Sequence, residues 1–528
     1  MNQIKKAGIS ALFIIIFSLG SKILGFFREI LIASKFGSGI ETDAYFVALA
    51  ATGLITTLIL TAVDTTLIPI FSEIEFQEGF NAKVKHANNM INIVFIFTLI
   101  LSIIGWIITP IIIKIMAIGF EGRQLDLAIL LTRIGMPKLI FSGSIGIFIG
   151  FLHSEQRFKS VSSIYLFSSL VLIIYLLFFS HRFGIKGLMF ASFLSVVIQL
   201  IVLLPEVKKV GYKYKLIADM KDNYLIKFGY LILPILFGTA INEINVVVDR
   251  ALASNLKPGS ISALNYANKL NYLVLGVFIS AITTVIFPML AKEFNCNDMR
   301  GMKKILEYGI NIILIITIPA TVGLILLSKP IVQLSFERGA FDTTATIMTS
   351  QALIFYSLGL VAMALNLLIT RVYYSLQDTK TPMIYGAISV GFNIVLNLIL
   401  VKFMAHSGLA LATSIATAIA TFLLLYGLKK KIGSLETISY IKCGLKSGAA
   451  SAVMGVVVFT IYYGMNRDFG SGSIYDMISL LMAVGMGLIV YLVLCYVLRV
   501  KEVHDIINVV NRKLKISCIN PLKKETDV

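Results

Sequence analysis

Charge is scarce in this chain. Asp, Glu, Lys and Arg make up 14% of its 528 residues while 57% are hydrophobic, where a soluble domain carries roughly 25% charged residues. That shortage excludes an ordinary water-soluble globule and predicts a polytopic membrane protein. Acidic residues are the scarcer kind: 28 Asp and Glu stand against 46 Lys and Arg, for a net charge of +18. The excess does not point to nucleic acid, because the basic residues form neither one face nor one tail but recur in short loops between apolar runs. Four cysteines (Cys296, Cys443, Cys495 and Cys518) show no CxxC spacing and five histidines make no HExxH. Neither a disulfide framework nor a zinc site is expected. A GxxxxGKS/T phosphate loop is missing too, so ATP is not the expected energy source. Without Ser/His/Asp or metal-ligand spacings an enzyme is not expected. Any work must draw on an ion gradient, the membrane potential or substrate concentration.

What the chain has in quantity is apolar sequence. Segments able to cross about 30 Å of hydrocarbon fall at 7–33, 42–72, 88–115, 126–152, 160–180, 186–205, 226–253, 262–291, 306–326, 347–375, 382–404, 408–428, 443–465 and 475–499. The fold class predicted is an all-α polytopic membrane protein with 14 transmembrane helices. Several should be interrupted by Gly or Pro, as at Pro69, Pro137, Pro234, Pro288 and Pro319. Lys5-Lys6 before the first run imitates a secretory signal, but the run outlasts a signal h-region and lacks an A-x-A site, so it reads as a retained span. With the N-terminus inside, inner segments hold 28 Lys and Arg and outer loops nine. That bias predicts two cytoplasmic termini. Beyond Arg499, Val503, Ile506, Ile507, Val510 and Leu514 recur at helical spacing among basic residues. The pattern suits a helix on the inner leaflet or a solvated tail.

The chain also repeats itself. Ile32-Ala33-Ser34 returns as Leu252-Ala253-Ser254, and Thr65-Thr66-Leu67-Ile68-Pro69 as Thr283-Thr284-Val285-Ile286-Phe287-Pro288. Ser154 to Lys159 matches Ser375 to Lys380, and Gly187 to Ser192 matches Gly408 to Thr413. The offsets stay between 218 and 221 residues, in unbroken order. Six helices separate the copies, so both halves enter the membrane in one direction. Their pseudo-twofold axis should run along the membrane normal, with a binding site between lobes. The expected divisions are an N-lobe at 1–205, a cytoplasmic linker at 206–225, a C-lobe at 226–428, two helices outside the repeat within 429–499, and a basic tail at 500–528.

Inside the first span, Ser21-Lys22-Ile23-Leu24-Gly25-Phe26-Phe27-Arg28-Glu29 puts three charges at membrane depth. Each costs about 2.5–3.5 kcal/mol to insert, and such residues normally face a bundle interior or a wet cavity. Ser21, Gly25 and Arg28 share one helix face, and Lys22 stacks over Glu29 on the next. Arg250 and Lys269 come from the equivalent early helices of the second copy, while acids at this depth are few: Glu29, Asp43, Asp64, Glu243 and Asp249. A cavity with this balance attracts an anion, and a diphosphate best satisfies several fixed cations. Private pairing or reach to an interface is the reading for Lys114, Lys138 and Lys446. A second cluster is rich in amides: Asn242, Asn245 and Asp249 share a face, Asn393 and Asn397 share another, and Thr413 opens the next span. Such hard oxygen donors suit Na⁺, and interhelical hydrogen bonding accounts for them equally well.

At these residues the chain resembles the murein lipid II flippase family (MurJ/MviN) of the multidrug/oligosaccharidyl-lipid/polysaccharide exporter superfamily. The resemblance spans roughly residues 10 to 500 and rests on Ser21 to Glu29, Thr42-Asp43-Ala44-Tyr45-Phe46-Val47-Ala48, and Leu131-Thr132-Arg133-Ile134 with Pro137. It continues through Val248-Asp249-Arg250, Gly259 to Ala267, Leu275 to Phe278, Phe336-Glu337-Arg338-Gly339-Ala340-Phe341 and Gln377 to Pro382. The resemblance implies two six-helix lobes and a C-terminal helix pair forming a lipid-tail groove. It implies a monomer in the bacterial cytoplasmic membrane, among membrane lipids, that flips undecaprenyl-diphosphate-linked glycopeptide (lipid II) outward by alternating access. The membrane potential, Na⁺ or both would drive it. Substrate-binding positions map to Ser21, Lys22, Arg28, Glu29, Asp43 and Lys269, and sodium ligands to Asp249, Asn393, Asn397, Leu409 and Thr413.

Three departures stand out. Lys22 and Lys269 occupy positions where the family usually has Arg, and Lys loses the bidentate fork while keeping the charge. Asn397 stands where an Asp is expected. The family's basic helix-2 motif reads here Leu49-Ala50-Ala51-Thr52-Gly53-Leu54-Ile55-Thr56-Thr57, without the arginine expected near Thr56. A flippase for another polyprenyl-linked oligosaccharide, a superfamily drug exporter with a carboxylate-lined cavity, and a non-transporting scaffold for cell-wall assembly are the rival readings.

Overall fold

The computed structural model describes residues 2–469, 473–505 and 507–508, and all regular structure among them is helical. The first half supplies α1 (Asn2–Phe36), α2 (Ile40–Glu78), α3 (Phe80–Met116), α4 (Gly122–Gly135), α5 (Lys138–Ser154), α6 (Phe158–Ile174) and α7 (Ser180–Lys209). The second supplies α8 (Asn223–Ala253), α9 (Ser260–Val274), α10 (Ser280–Asn295), α11 (Met299–Leu326), α12 (Ser328–Phe336), α13 (Thr343–Leu358), α14 (Leu360–Ser375) and α15 (Lys380–Ile432). Last come α16 (Thr437–Phe469) and α17 (Ser473–Val497). Single π-helical turns, Tyr175–Phe179 and Leu275–Ile279, join α6 to α7 and α9 to α10.

Among the described residues, eight helical stretches are long and apolar enough to cross a membrane, and two bent pairs raise the number to ten. Two of the eight, Ser160–Lys209 and Lys380–Ile432, run for 50 and 53 residues. At 1.5 Å per residue each has about twice the length that one crossing needs. Both contain one non-helical residue, Gly184 and Ala405. Proline interrupts less than its positions suggest. Helices run unbroken through Pro69, Pro288 and Pro319, and only Pro137 lies at a break, between α4 and α5. One missing N–H leaves one carbonyl free, which neighbouring groups can re-satisfy.

The internal repeat reappears in the backbone. Left-handed φ values occur at Gly79 and Asn297, at Gln156 and Gln377, and at Gly184 and Ala405. These pairs have the spacings of the sequence repeat. The bent pairs correspond as well, α4 to α5 at 41° and α13 to α14 at 48°.

The chain forms two compact units. One comprises residues 1–269, 335–352 and 386–412; the other comprises 270–334, 353–385 and 413–528. In the first, α5 packs on α2 through glycines four residues apart. A β-carbon at Gly146 would meet Val63, and one at Gly150 would lie 2.9 Å from Leu67. Such small-residue spacing lets two membrane helices approach closely. At one end of this unit, buried Lys83 is held by Glu75 at 2.8 Å and by Glu155, against the Phe151 ring. In the second unit α11, α16 and α17 share a core containing Leu314, Cys443, Met454 and Tyr491. Ser447 bonds Tyr491 Oη, which donates to the Ile315 carbonyl at 2.7 Å. The start of the tail belongs here: Val500 and Val503 are buried, and Asn311 donates to Glu502 at 2.6 Å. This first turn of the tail therefore docks on protein through one face. Ile506, Val510 and Leu514 lie outside the described residues.

The linker is also docked. Residues 212–219 form no helix, and three buried asparagines of α3 hold them. Asn88 donates to the Lys213 carbonyl and accepts from Lys215 N–H and the Tyr212 hydroxyl. Asn92 donates to the Lys215 and Ile217 carbonyls, and Asn89 both donates to and accepts from Asp219. A carboxamide carries the donor and acceptor of a peptide group, so these side chains stand in for a neighbouring strand. Asp222 closes the strap. It caps α8 by accepting from Tyr224 N–H, and its other oxygen meets His86 at 2.6 Å and Asn89 at 2.9 Å.

Candidate functional site

Most of the motifs behind the resemblance converge in the first unit. On α1, Arg28 donates to Glu29 at 2.8 Å; Glu29 is 4% exposed while Arg28 keeps 24% of its side chain open. The pair solves a solvation problem. A lone carboxylate at this depth would be costly, and a guanidinium neutralises it while retaining donors for another anion. Buried Tyr45 lies within electrostatic reach of both. Ser21 and Lys22 are half-buried a turn or two earlier on the same helix, and Lys269 is exposed. Among the described residues Lys269 makes no side-chain hydrogen bond or ion pair, which leaves its ammonium available.

Asp43 stands apart from these cations in its role. The resemblance groups it with acids that face substrate, yet it is 2% exposed and both its oxygens are engaged. One accepts from Gly259 N–H at 2.6 Å, the other from Ser262 N–H at 2.8 Å and the Ser262 hydroxyl at 2.5 Å. It therefore caps α9 from another helix, placing negative charge on the positive end of the helix dipole. Around this cap the chain closes tightly. Ala340 N–H donates to the Ser34 carbonyl at 2.8 Å and the Tyr266 hydroxyl to the Gly37 carbonyl at 3.1 Å. Gly339 has φ +62°, and a β-carbon there would sit 2.3 Å from the Ser34 oxygen. Phe26, Phe46, Tyr266, Phe336 and Phe341 stack beside it at ring-centre distances of 5.0–5.9 Å. The Phe336 to Phe341 motif thus supplies packing and a backbone clasp.

The amide cluster is partly assembled in the same unit. Asn397 Nδ2 donates to Asp249 Oδ1 at 2.6 Å and to Asn393 Oδ1 at 2.7 Å, so two oxygens converge on one point. Asn397 Oδ1 and Asn245 Oδ1 are buried without partners. A carboxylate and amide oxygens are the donor types a small hard cation takes, but here the Asn397 amide N–H fills the point between Asp249 and Asn393. Leu409 is buried in this unit, and Thr413 belongs to the other. The Asn242 side chain lies outside the described residues.

Other expected positions resolve individually. Arg133 stacks 4.7 Å from the Trp106 ring, Arg371 lies 5.8 Å from the Phe287 ring, and Lys446 donates to the Arg499 carbonyl. Arg250 donates to the Ile261 carbonyl at 3.3 Å. Where the basic helix-2 motif is absent, the Thr52 and Thr56 hydroxyls bond carbonyls of their own helix. The asparagine triad of α3 and the part played by Ser262 were not visible in the sequence. Asn-Asn followed by Asn on an apolar helix was the available signal.

A family model described as "Lipid II flippase MurJ" matches residues 32–494. A probable lipid II flippase MurJ from Rhizobium tropici is 29% identical over 469 residues, covering 86% of this chain and 87% of the relative. Another from Vibrio cholerae is 30% identical over 423 residues, covering 78% and 81%. A solved structure described as lipid II flippase MurJ in an inward closed conformation matches with a TM-score of 0.79 at 28% identity, across 93% of this chain and all of that one.

Proposed function

Because the chain belongs to the lipid II flippase MurJ family, we propose that it carries lipid II from the cytoplasmic to the outer leaflet of the bacterial cytoplasmic membrane. Fourteen crossings follow if the two long helices each cross twice and α1 and α8 cross once, alongside the bent pairs. Two six-helix lobes then share a pseudo-twofold axis. With the cavity open to the cytoplasm, Arg28, Lys22 and Lys269 bind the diphosphate by charge-assisted hydrogen bonds. The prenyl tail stays in lipid beside α16 and α17. Asp43 and the start of α9 fasten the outer side, and their separation exposes the head group outside. Membrane potential, Na⁺ or both reset the carrier, which acts as a monomer. Bound by Asp249, Asn393, Asn397, Leu409 and Thr413, Na⁺ would neutralise a buried carboxylate.

The observation that carries this reading is the orientation of Arg28, fixed by a buried Glu29 with donors left over. Transport of lipid II in proteoliposomes tests it. Arg28→Ala and Lys269→Ala should each lower flipping by tenfold or more, about 1.4 kcal/mol of lost binding; wild-type flipping by both would remove the diphosphate contact. The missing helix-2 cations favour one alternative, a different polyprenyl-linked oligosaccharide. Depletion that spares peptidoglycan but abolishes another surface polymer would select it. Full complementation by a Lys22/Arg28/Lys269 triple alanine variant would select a scaffold instead.

A further inference from the structure

The strap of residues 212–222 borders a cavity that the transport reading does not use. Its volume is about 540 Å³, within the roughly 300–1,000 Å³ typical of small-molecule sites. α2 contributes Ile59 and Val63, α3 contributes Val94 and Phe97, and α8 contributes Phe228 and Leu233. Met220 of the strap lines it too. The lining is almost entirely apolar. Two hydroxyl-bearing residues border it: Thr98 spends its hydroxyl on the Val94 carbonyl of its own helix at 2.8 Å, and Tyr230 is 72% exposed. An alkyl chain suits these walls, which give a polar ligand few partners.

The strap itself has the opposite character. Lys213, Lys215 and Lys221 are exposed, and among the described residues none of their ammonium groups meets a carboxylate. The neighbouring cations differ: Lys227 is paired with Glu73 and Lys209 with Glu206. Of the two strap acids, Asp222 is spent on His86 and Asn89, and one Asp219 oxygen accepts from Lys221 N–H. Tyr214 and Leu216 alternate with the lysines and are 60% and 84% exposed. Aromatic and apolar side chains interleaved with Lys suit a membrane–water boundary. Asn92 fixes the strap at Lys215 and is followed on α3 by Ile93 and Val94, both in the cavity wall. Unpaired cations and the alkyl cavity therefore occupy the same end of the unit.

We propose that this is a binding site for an anionic glycerophospholipid, with an acyl chain in the α2–α3–α8 cavity and the phosphate on Lys213, Lys215 and Lys221. The site is separate from Arg28 and Lys269, and it depends on membrane embedding alone, so it stands or falls independently of lipid II transport. A lipid held there ties the strap and α8 to the leaflet surface.

Native mass spectrometry of the purified full chain, titrated with phosphatidylglycerol or phosphatidylcholine, tests the assignment. The wild type should retain phosphatidylglycerol preferentially. Gln at all three lysines should lower that preference by about tenfold or more, since each lysine adds its own attraction. Gly229 lines the cavity, and a β-carbon there meets nothing within 4 Å. Gly229→Leu should therefore fill the cavity without breaking α8 and release both lipids. Unchanged selectivity in the lysine variant, or unchanged retention in the Gly229→Leu variant, overturns the site. So does displacement of phosphatidylglycerol by undecaprenyl diphosphate at equal concentration, which would assign the cavity to the carried lipid.

Discussion

At the scale of single residues, Arg28 and Glu29 each carry a separable burden. Removing the arginine leaves a carboxylate 4% exposed without its counter-charge. Arg28→Ala should cost about 3 kcal/mol, the low end for a broken buried pair because Arg28 keeps some contact with solvent. Arg28→Ala combined with Glu29→Gln removes both charges and should recover most of that loss in thermal unfolding. Transport should stay low in both variants. Recovered flipping in the double variant would mean that Arg28 serves stability alone. The cations at depth were legible because an expensive charge on an apolar helix needs a reason. The cap made by Asp43 was not, since its partners Gly259 and Ser262 are more than 200 residues away and nothing local marks a cap supplied by another helix.

At the scale of elements, two features invite measurement. Ala405 adopts φ +48° and ψ −132°, a region that suits glycine, and its counterpart in the first copy is Gly184. Ala405→Gly should stabilise the protein by about 1 kcal/mol through relief of backbone strain, read as a raised Tm; a lowered Tm would show that the alanine methyl is needed for packing. The strap answers to pH. Burial alone would raise the Asp222 carboxyl, but hydrogen bonds from His86 and Asn89 outweigh it and hold the group below its ordinary range. The folded value being depressed, the strap's stabilisation is complete above the unfolded value of about 3.9 and fades as pH falls through the folded one. Hydrogen exchange at the Lys215 and Asp219 amides, corrected for intrinsic rate, should accelerate over that acidic window. Asn89→Ala should show faster exchange already at neutral pH. A parallel case is Asp378, where burial is outweighed by Lys431 and Thr381 and the carboxyl falls to about 2.

Helix positions were largely readable from apolar runs: 42–72 became Ile40–Glu78 and 475–499 became Ser473–Val497. The first overshoots at both ends because the helix continues past the hydrocarbon into a polar turn, and the second is displaced by two residues towards the N-terminus. The short α12 escaped notice, being only nine residues. So did the docked linker, whose binding runs through side-chain amides that leave no periodic trace in sequence.

For the whole molecule, the bias of Lys and Arg predicts an orientation that chemistry can check. Arg123 is exposed in the first turn of α4 and Lys221 is exposed on the strap. In a background without native cysteines, Arg123→Cys should react with a membrane-impermeant thiol reagent in intact cells, and Lys221→Cys only after permeabilisation. The reverse pattern would invert the topology. The repeat was legible as four collinear sequence pairs, and one of them, Ser154 to Lys159 with Ser375 to Lys380, contains the matched positive φ values at Gln156 and Gln377, where the chain turns.

The closure around Asp43 is built largely from main-chain groups: the Gly259 and Ser262 amides, the Ser34 and Gly37 carbonyls, the Ala340 amide. Groups of this kind find water as readily as they find each other, so net gain per bond is about 1 kcal/mol. A seam of interlocked leucines would resist wetting at every methyl. If this one parts in the proposed transport cycle, its main-chain groups would hydrate and reseat, much as a zip fastener differs from a glued joint, and the three glycines at 37, 259 and 339 would themselves have no side chains to re-order on the return stroke.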